Sequence, residues 1–243
     1  MERSKYLILI TCCLICFSIK ASYKQDIYNS FISNNMQKWH EVITEMSAVP
    51  TKSSEFRFEL VNYQYGYIAW CIDMKKEKEA ESVLKSAEHN LMILETDKRN
   101  ESMIQAYKSA FYGYKIGLNK FTATTNGPKS VESVKKALLL DPSNAFAYCQ
   151  YGNIEYYMPV IFGGSKITAL KYYLKSNELI EKNMKSAIGD WNYLYVLTSI
   201  AESFYGLNNM AMAKYYCDKI IAIEPNYLWI RNTLYPKIKN KLK

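Results

Sequence analysis

Between Leu194 and Pro225 the small and apolar residues hold one fixed register, and that register limits what the chain can fold into more than any other feature. Counted from Leu194 as position 1, Leu197, Ile200, Ala201 and Phe204 take positions 4, 7, 8 and 11, and Ala213, Cys217, Ile220 and Pro225 take positions 20, 24, 27 and 32. Both groups recur at helical spacing. Composition points the same way: only nine Gly and six Pro stand against 22 Tyr, which favours long regular elements with aromatic packing over a loop-rich fold.

The same spacing returns upstream in looser form. Ile27, Tyr28 and Phe31 mark one helix face, Ser33-Asn34-Asn35 interrupts it, and Met36, Trp39, Val42, Ile43 and Met46 mark a second that closes before Val49-Pro50. Ser54 is placed to cap the next helix, whose partner carries Ala80, Leu84 and Ala87; a further helix is expected over Glu101 to Gly117, with a partner beginning after Gly127-Pro128. Asp141-Pro142-Ser143-Asn144 reads as an inter-helix loop, with Ser143 or Asn144 capping the next helix. From Ala145, Tyr148, Tyr151 and Gly152 hold positions 4, 7 and 8, but Ala169 arrives late at position 20 because Met158-Pro159-Val160-Ile161-Phe162-Gly163-Gly164 is inserted before Ser165. A second excess, Met184 to Tyr193, precedes the final register, and a last helix is expected over Tyr227 to Lys241.

Taken together, the segments from residue 24 to residue 241 resemble the tetratricopeptide (TPR) superfamily, in the degenerate form of secreted bacterial TPR proteins and, more weakly, of the TPR lipoproteins associated with TRAP transporters. The resemblance implies an all-α fold: an α/α superhelix of about 9–11 helices in antiparallel hairpins, stacked so that neighbouring units share a core. It also implies a concave face lined by positions 2, 5, 9, 12 and 13 of each hairpin's first helix. Carried over, these are Phe146, Cys149, Asn153, Tyr156 and Tyr157 in one repeat and Tyr195, Thr198, Glu202, Tyr205 and Gly206 in the last. Tyrosine offers a rigid apolar body with a hydroxyl tip, and Asn pairs with an extended backbone, so the face is expected to hold a protein or peptide partner. The competing expectation is that these tyrosines fill the groove against neighbouring helices. A further reading makes the chain a small-ligand carrier closed by the insertion, with Pro159, Phe162, Gly163 and Gly164 shaping the loop.

The first residues read differently. Arg3 and Lys5 precede an apolar run from Tyr6 to Ile19, and Lys20-Ala21-Ser22 offers a cleavage point, which predicts a signal peptide over residues 1–21 and one domain over residues 22–243. The run is shorter than the 20 or so residues that span a bilayer, so the expectation is an exported bacterial chain, periplasmic or envelope-associated, with no integral span once the leader is removed. Cys12, Cys13 and Cys16 lie inside that apolar run and carry no metal reading; Cys71, Cys149 and Cys217 lie among apolar residues, where Cys packs as a small hydrophobe.

The formal charge is +8, with lysines dispersed except in the tail Lys237, Lys239, Lys241 and Lys243. Such a tail suits anionic lipid or nucleic acid, but a solvated helix end is the simpler reading and no nucleic-acid partner is expected. Only His40 and His89 supply imidazole, each alone on a polar face, and no phosphate loop, HExxH or dinucleotide fingerprint occurs. No metal site, cofactor or catalytic constellation is expected, and the chain is read as non-enzymatic.

Overall fold

The computed structural model describes residues 23–96 and 100–242; the expected leader lies outside them. Twelve α-helices and no strand occur among the described residues. They are α1 (23–33), α2 (Met36–Ala48), α3 (Ser54–Asp73), α4 (Glu77–Leu94), α5 (Glu101–Leu118), α6 (Ala123–Leu140), α7 (Ala145–Tyr157), α8 (Lys166–Glu181), the short α9 (Met184–Ala187), α10 (Trp191–Gly206), α11 (Met210–Ile223) and α12 (Tyr235–Leu242). The helices α3/α4, α5/α6, α7/α8 and α10/α11 form hairpins, and α3, α5 and α7 pack in succession.

Local chemistry sets the boundaries. Asn35, Asn144, Ser165 and Asn209 each accept a backbone N–H from the first turn of the helix they open, at 2.9–3.2 Å, satisfying one of the donors a helix start leaves unpaired. For α3 the cap is Ser53, whose Oγ accepts from Phe56 N at 3.2 Å, one residue before the expected Ser54. The helix α6 begins at Ala123 and carries Pro128 within it, where sequence placed its start after the proline. The Pro is tolerated there because it and the carbonyl it orphans, on Thr124, sit on exposed early turns that water can satisfy. The excess before the last repeat is used as α9 and as an extra first turn of α10.

Packing explains the small residues at position 8. A Cβ on Gly152 would stand 2.6 Å from Tyr173 Cδ1, and one on Gly66 would stand 2.6 Å from Trp39 Cζ2 and 2.8 Å from Trp191 Cη2. Aromatic rings lie directly on these backbones, so only glycine fits without a shift. Each fully buried side chain of the kind found here, Trp39, Leu60, Ile68 or Leu197, contributes about 1.5–3 kcal/mol by leaving water.

One continuous core takes in residues from Ile27 to Ile238, with a small separate cluster of Ala106, Val134, Ala137 and Ala147 beside it, and within the larger core the two ends of the described fold meet. Phe31 lies 5.6 Å from the Trp191 ring and 5.0 Å from that of Tyr227, while Trp39 meets Trp191 edge-on at 5.1 Å. The first helices therefore pack against α10 and the segment after α11, bringing the two ends of the described fold together.

Candidate functional site

Closure leaves a cleft of about 1060 Å³ among α3, α5, α7 and α10. Its walls carry Phe58, Met103, Tyr107, Phe146, Tyr195 and Val196, and its rim carries the acids Glu55, Glu59, Glu101, Asp141 and Asp190. The Tyr107 and Phe146 rings lie 4.5 Å apart, and Tyr65 packs beneath them, 5.3 Å from Phe146. Burial holds the Tyr107 and Tyr195 phenols well above their ordinary range, so both stay neutral and serve as hydrogen-bonding aromatic surface rather than as acids or bases.

Beneath the cleft a polar network fixes the aromatic floor. Asn153 Oδ1 accepts from the Tyr173 hydroxyl at 2.8 Å and the Tyr195 hydroxyl at 3.0 Å, while its Nδ2 donates to Gln150 Oε1 at 3.2 Å and to the Tyr65 hydroxyl at 3.4 Å. The amide is thereby used internally. At the rim, Glu59 Oε1 accepts from the Tyr63 hydroxyl at 2.7 Å, Asp190 caps α10 through Asn192 N at 2.9 Å, and Glu101 pairs with Lys136 at 2.7 Å.

The groove residues expected from sequence divide into two places. Phe146, Cys149 and Tyr195 line the cleft. Tyr156, Tyr157, Glu202 and Tyr205 gather at the other ends of α7 and α10: the Tyr156 and Tyr157 rings meet edge-on at 5.1 Å, and Lys166 and Lys241 lie over Tyr156 and Tyr205 at 5.6 and 4.3 Å. Glu202 sits half-buried among them; loss of solvation raises its carboxyl, Trp229 opposes this by donating its indole N–H, Asp73 adds to it and Lys237 opposes it. Tyr157 itself is 72% exposed.

The insertion loop stands at this second place and not over the cleft, since none of its residues lines it. Val160–Phe162 form one 3₁₀ turn after Pro159, Gly163 turns the chain at φ 99°, and a Cβ on Gly164 would collide with the Met158 carbonyl oxygen. Both glycines are thus required by the turn. Phe58, Met103 and Tyr107 also line the cleft and were not expected there, because groove positions were assigned only in the repeats that begin at Ala145 and Leu194.

Cys71, Cys149 and Cys217 are buried and free. Burial pushes the Cys71 thiol up to about 11 and Cys217 up to about 12, and raises Cys149 further, so none is a ready thiolate. Among the described residues no cluster of His, Cys, Asp and Glu gathers at metal-binding spacing, and none of their helices is long and apolar enough to cross a membrane.

No family model matches the sequence, and no curated protein matches it. Among solved structures the chain is similar to the HusA haemophore from Porphyromonas gingivalis, at a TM-score of 0.61 and 19% identity, over 75% of this chain and 92% of that one. A likeness at that identity concerns the fold.

Proposed function

We propose that this chain is an exported, non-catalytic TPR-like carrier that holds a small ring-bearing molecule in the cleft between α3, α5, α7 and α10. The observation that carries this reading is the cleft itself: about 1060 Å³, the size of a small-molecule site, walled by Tyr107, Phe146 and Tyr195. Flat aromatic walls suit a flat ligand, with tyrosine hydroxyls to orient it. The neighbour's description as a haemophore makes haem the first cargo to test. A haem ring would stack on Phe146, backed by Tyr107, with its carboxylates placed away from the rim acids Glu55, Glu59 and Asp190, which repel anions. Titration of haemin into the chain from Ser22 onward is expected to shift the haem absorption band and quench tryptophan fluorescence, and Phe146→Asp is expected to abolish both. Unchanged spectra with haemin and with uncharged ring compounds would exclude the reading.

A second reading, a scaffold for a protein partner, is favoured by the solvent-facing Tyr157 beside Tyr156, Glu202 and Tyr205. Replacing Tyr156, Tyr157 and Tyr205 by Ala should then release the captured partner while leaving haemin titration untouched; retention of every partner would count against it.

A further inference from the structure

Three neighbouring inter-helix turns end in apolar side chains that nothing in the fold covers. Phe121, between α5 and α6, is 95% exposed; Val160, Ile161 and Phe162, between α7 and α8, are 83%, 84% and 71% exposed; Met74, between α3 and α4, is 53% exposed. Scattered apolar residues on a surface need no explanation, but a run of them on turn tips does.

These turns share one edge of the molecule. Gly117 near the end of α5 faces Ile72 near the end of α3, with a Cβ built on it 3.3 Å from Ile72 Cγ2. The start of α8 meets the end of α10, where Lys166 Nζ lies 3.2 Å from a Cβ built on Gly206. The tail arrives at the same place, with Lys241 over Tyr205 at 4.3 Å. The turns therefore carry Lys75, Lys120 and Lys166 beside their apolar tips, and α12 adds Lys237 and Lys241. Acids are present too: Glu79 is paired with Lys76 at 3.2 Å, Glu202 is held by Trp229, and Asp73 and Glu77 stand exposed at the α3–α4 turn, fewer than the lysines beside them.

We infer that this edge is a lipid-docking surface: Phe121 and the Val160–Phe162 turn enter the interfacial layer of a bilayer, and the flanking lysines engage anionic headgroups. Apolar side chains on separate protruding tips reach past a headgroup layer to the acyl boundary, where buried apolar area adds to the attraction of basic residues for anionic lipid. The excess of lysine on these turns suits an anionic leaflet, and the lysine tail finds a role beside them rather than as a free helix end. The inference is independent of what occupies the cleft.

Sedimentation of the chain from Ser22 onward with vesicles tests it. Binding is expected to vesicles containing phosphatidylglycerol, to weaken as salt rises, and to be weak on phosphatidylcholine alone. The double variant Ile161→Asp/Phe162→Asp, and independently Phe121→Asp on the next turn, should each lower binding by about tenfold or more, with unchanged circular dichroism because all three positions are exposed. Failure of the wild type to sediment with anionic vesicles, or sedimentation of both variants like the wild type, overturns the assignment. Recovery of a protein cross-linked through position 161 from a chain that ignores vesicles overturns it in favour of a protein surface.

Discussion

The Tyr28 hydroxyl donates to Glu224 Oε2 at 3.0 Å, joining the first described helix to the loop after α11 across 196 residues of sequence. With the Phe31–Tyr227 ring contact beside it, this bond fastens α1 to the segment after α11. Burial first, and then the bonded carboxylate, raise the Tyr28 phenol well above its ordinary range, so the donor keeps its proton throughout physiological pH. Tyr28→Phe removes the bond while keeping the ring, and should cost about 0.5–1.5 kcal/mol in chemical denaturation, with early loss of hydrogen-exchange protection in α1.

Gly152→Ala tests the register that the sequence placed at position 8. The new methyl would stand 2.6 Å from two atoms of the Tyr173 ring, which is 2% exposed and has nowhere to go. Overpacking of this kind costs about 1–3 kcal/mol, an unusual sign for a change that raises helix propensity. Equal or greater stability in the alanine variant, by thermal denaturation, would mean that the α7/α8 hairpin packs differently.

The features legible in the sequence are those decided by local interactions. A cap at Ser143 or Asn144 was legible, and the structure uses Asn144, because such a cap is settled within one turn of helix. Closure of the two ends was not legible: the Tyr28–Glu224 and Phe31–Tyr227 contacts join residues about 200 apart in sequence, which no local spacing encodes. The site divided along the same line. Phe146 and Tyr195 line the cleft, while Phe58, Met103 and Tyr107 carried no groove position because that face was assigned only in the last two repeats. Asn153 was seen as a groove amide, but the tyrosines that bind it come from α3, α8 and α10.

Asn153→Ala should therefore act on the fold before it acts on any ligand. It strips the shared acceptor from the Tyr173 and Tyr195 hydroxyls, leaving two buried or half-buried donors without it, at a cost of about 1–3 kcal/mol. Loosening of Tyr195 should also weaken any ligand held in the cleft. A variant that keeps wild-type stability yet loses a peptide partner would reassign Asn153 to direct recognition.

Glu202 predicts a pH dependence whose sign is opposite to that of an ion-paired acid. Burial, aided by Asp73, raises its native carboxyl above the ordinary glutamate value of 4.5, while Trp229 and Lys237 only partly oppose this. A raised native value means that the fold favours the protonated form. Its contribution is fully present below pH 4.5 and is lost as pH rises through the native value, where the charge must be carried half-buried. Glu202→Gln keeps an acceptor for the Trp229 indole and never ionises, so it should melt at a higher temperature than the wild type at neutral pH. The gap should close as pH falls below the ordinary carboxylate range. Melting curves of both proteins from pH 4 to 8 decide the matter: a wild type that is more stable than the glutamine variant at neutral pH would show that Lys237 pairs with Glu202 strongly enough to reverse the effect of burial.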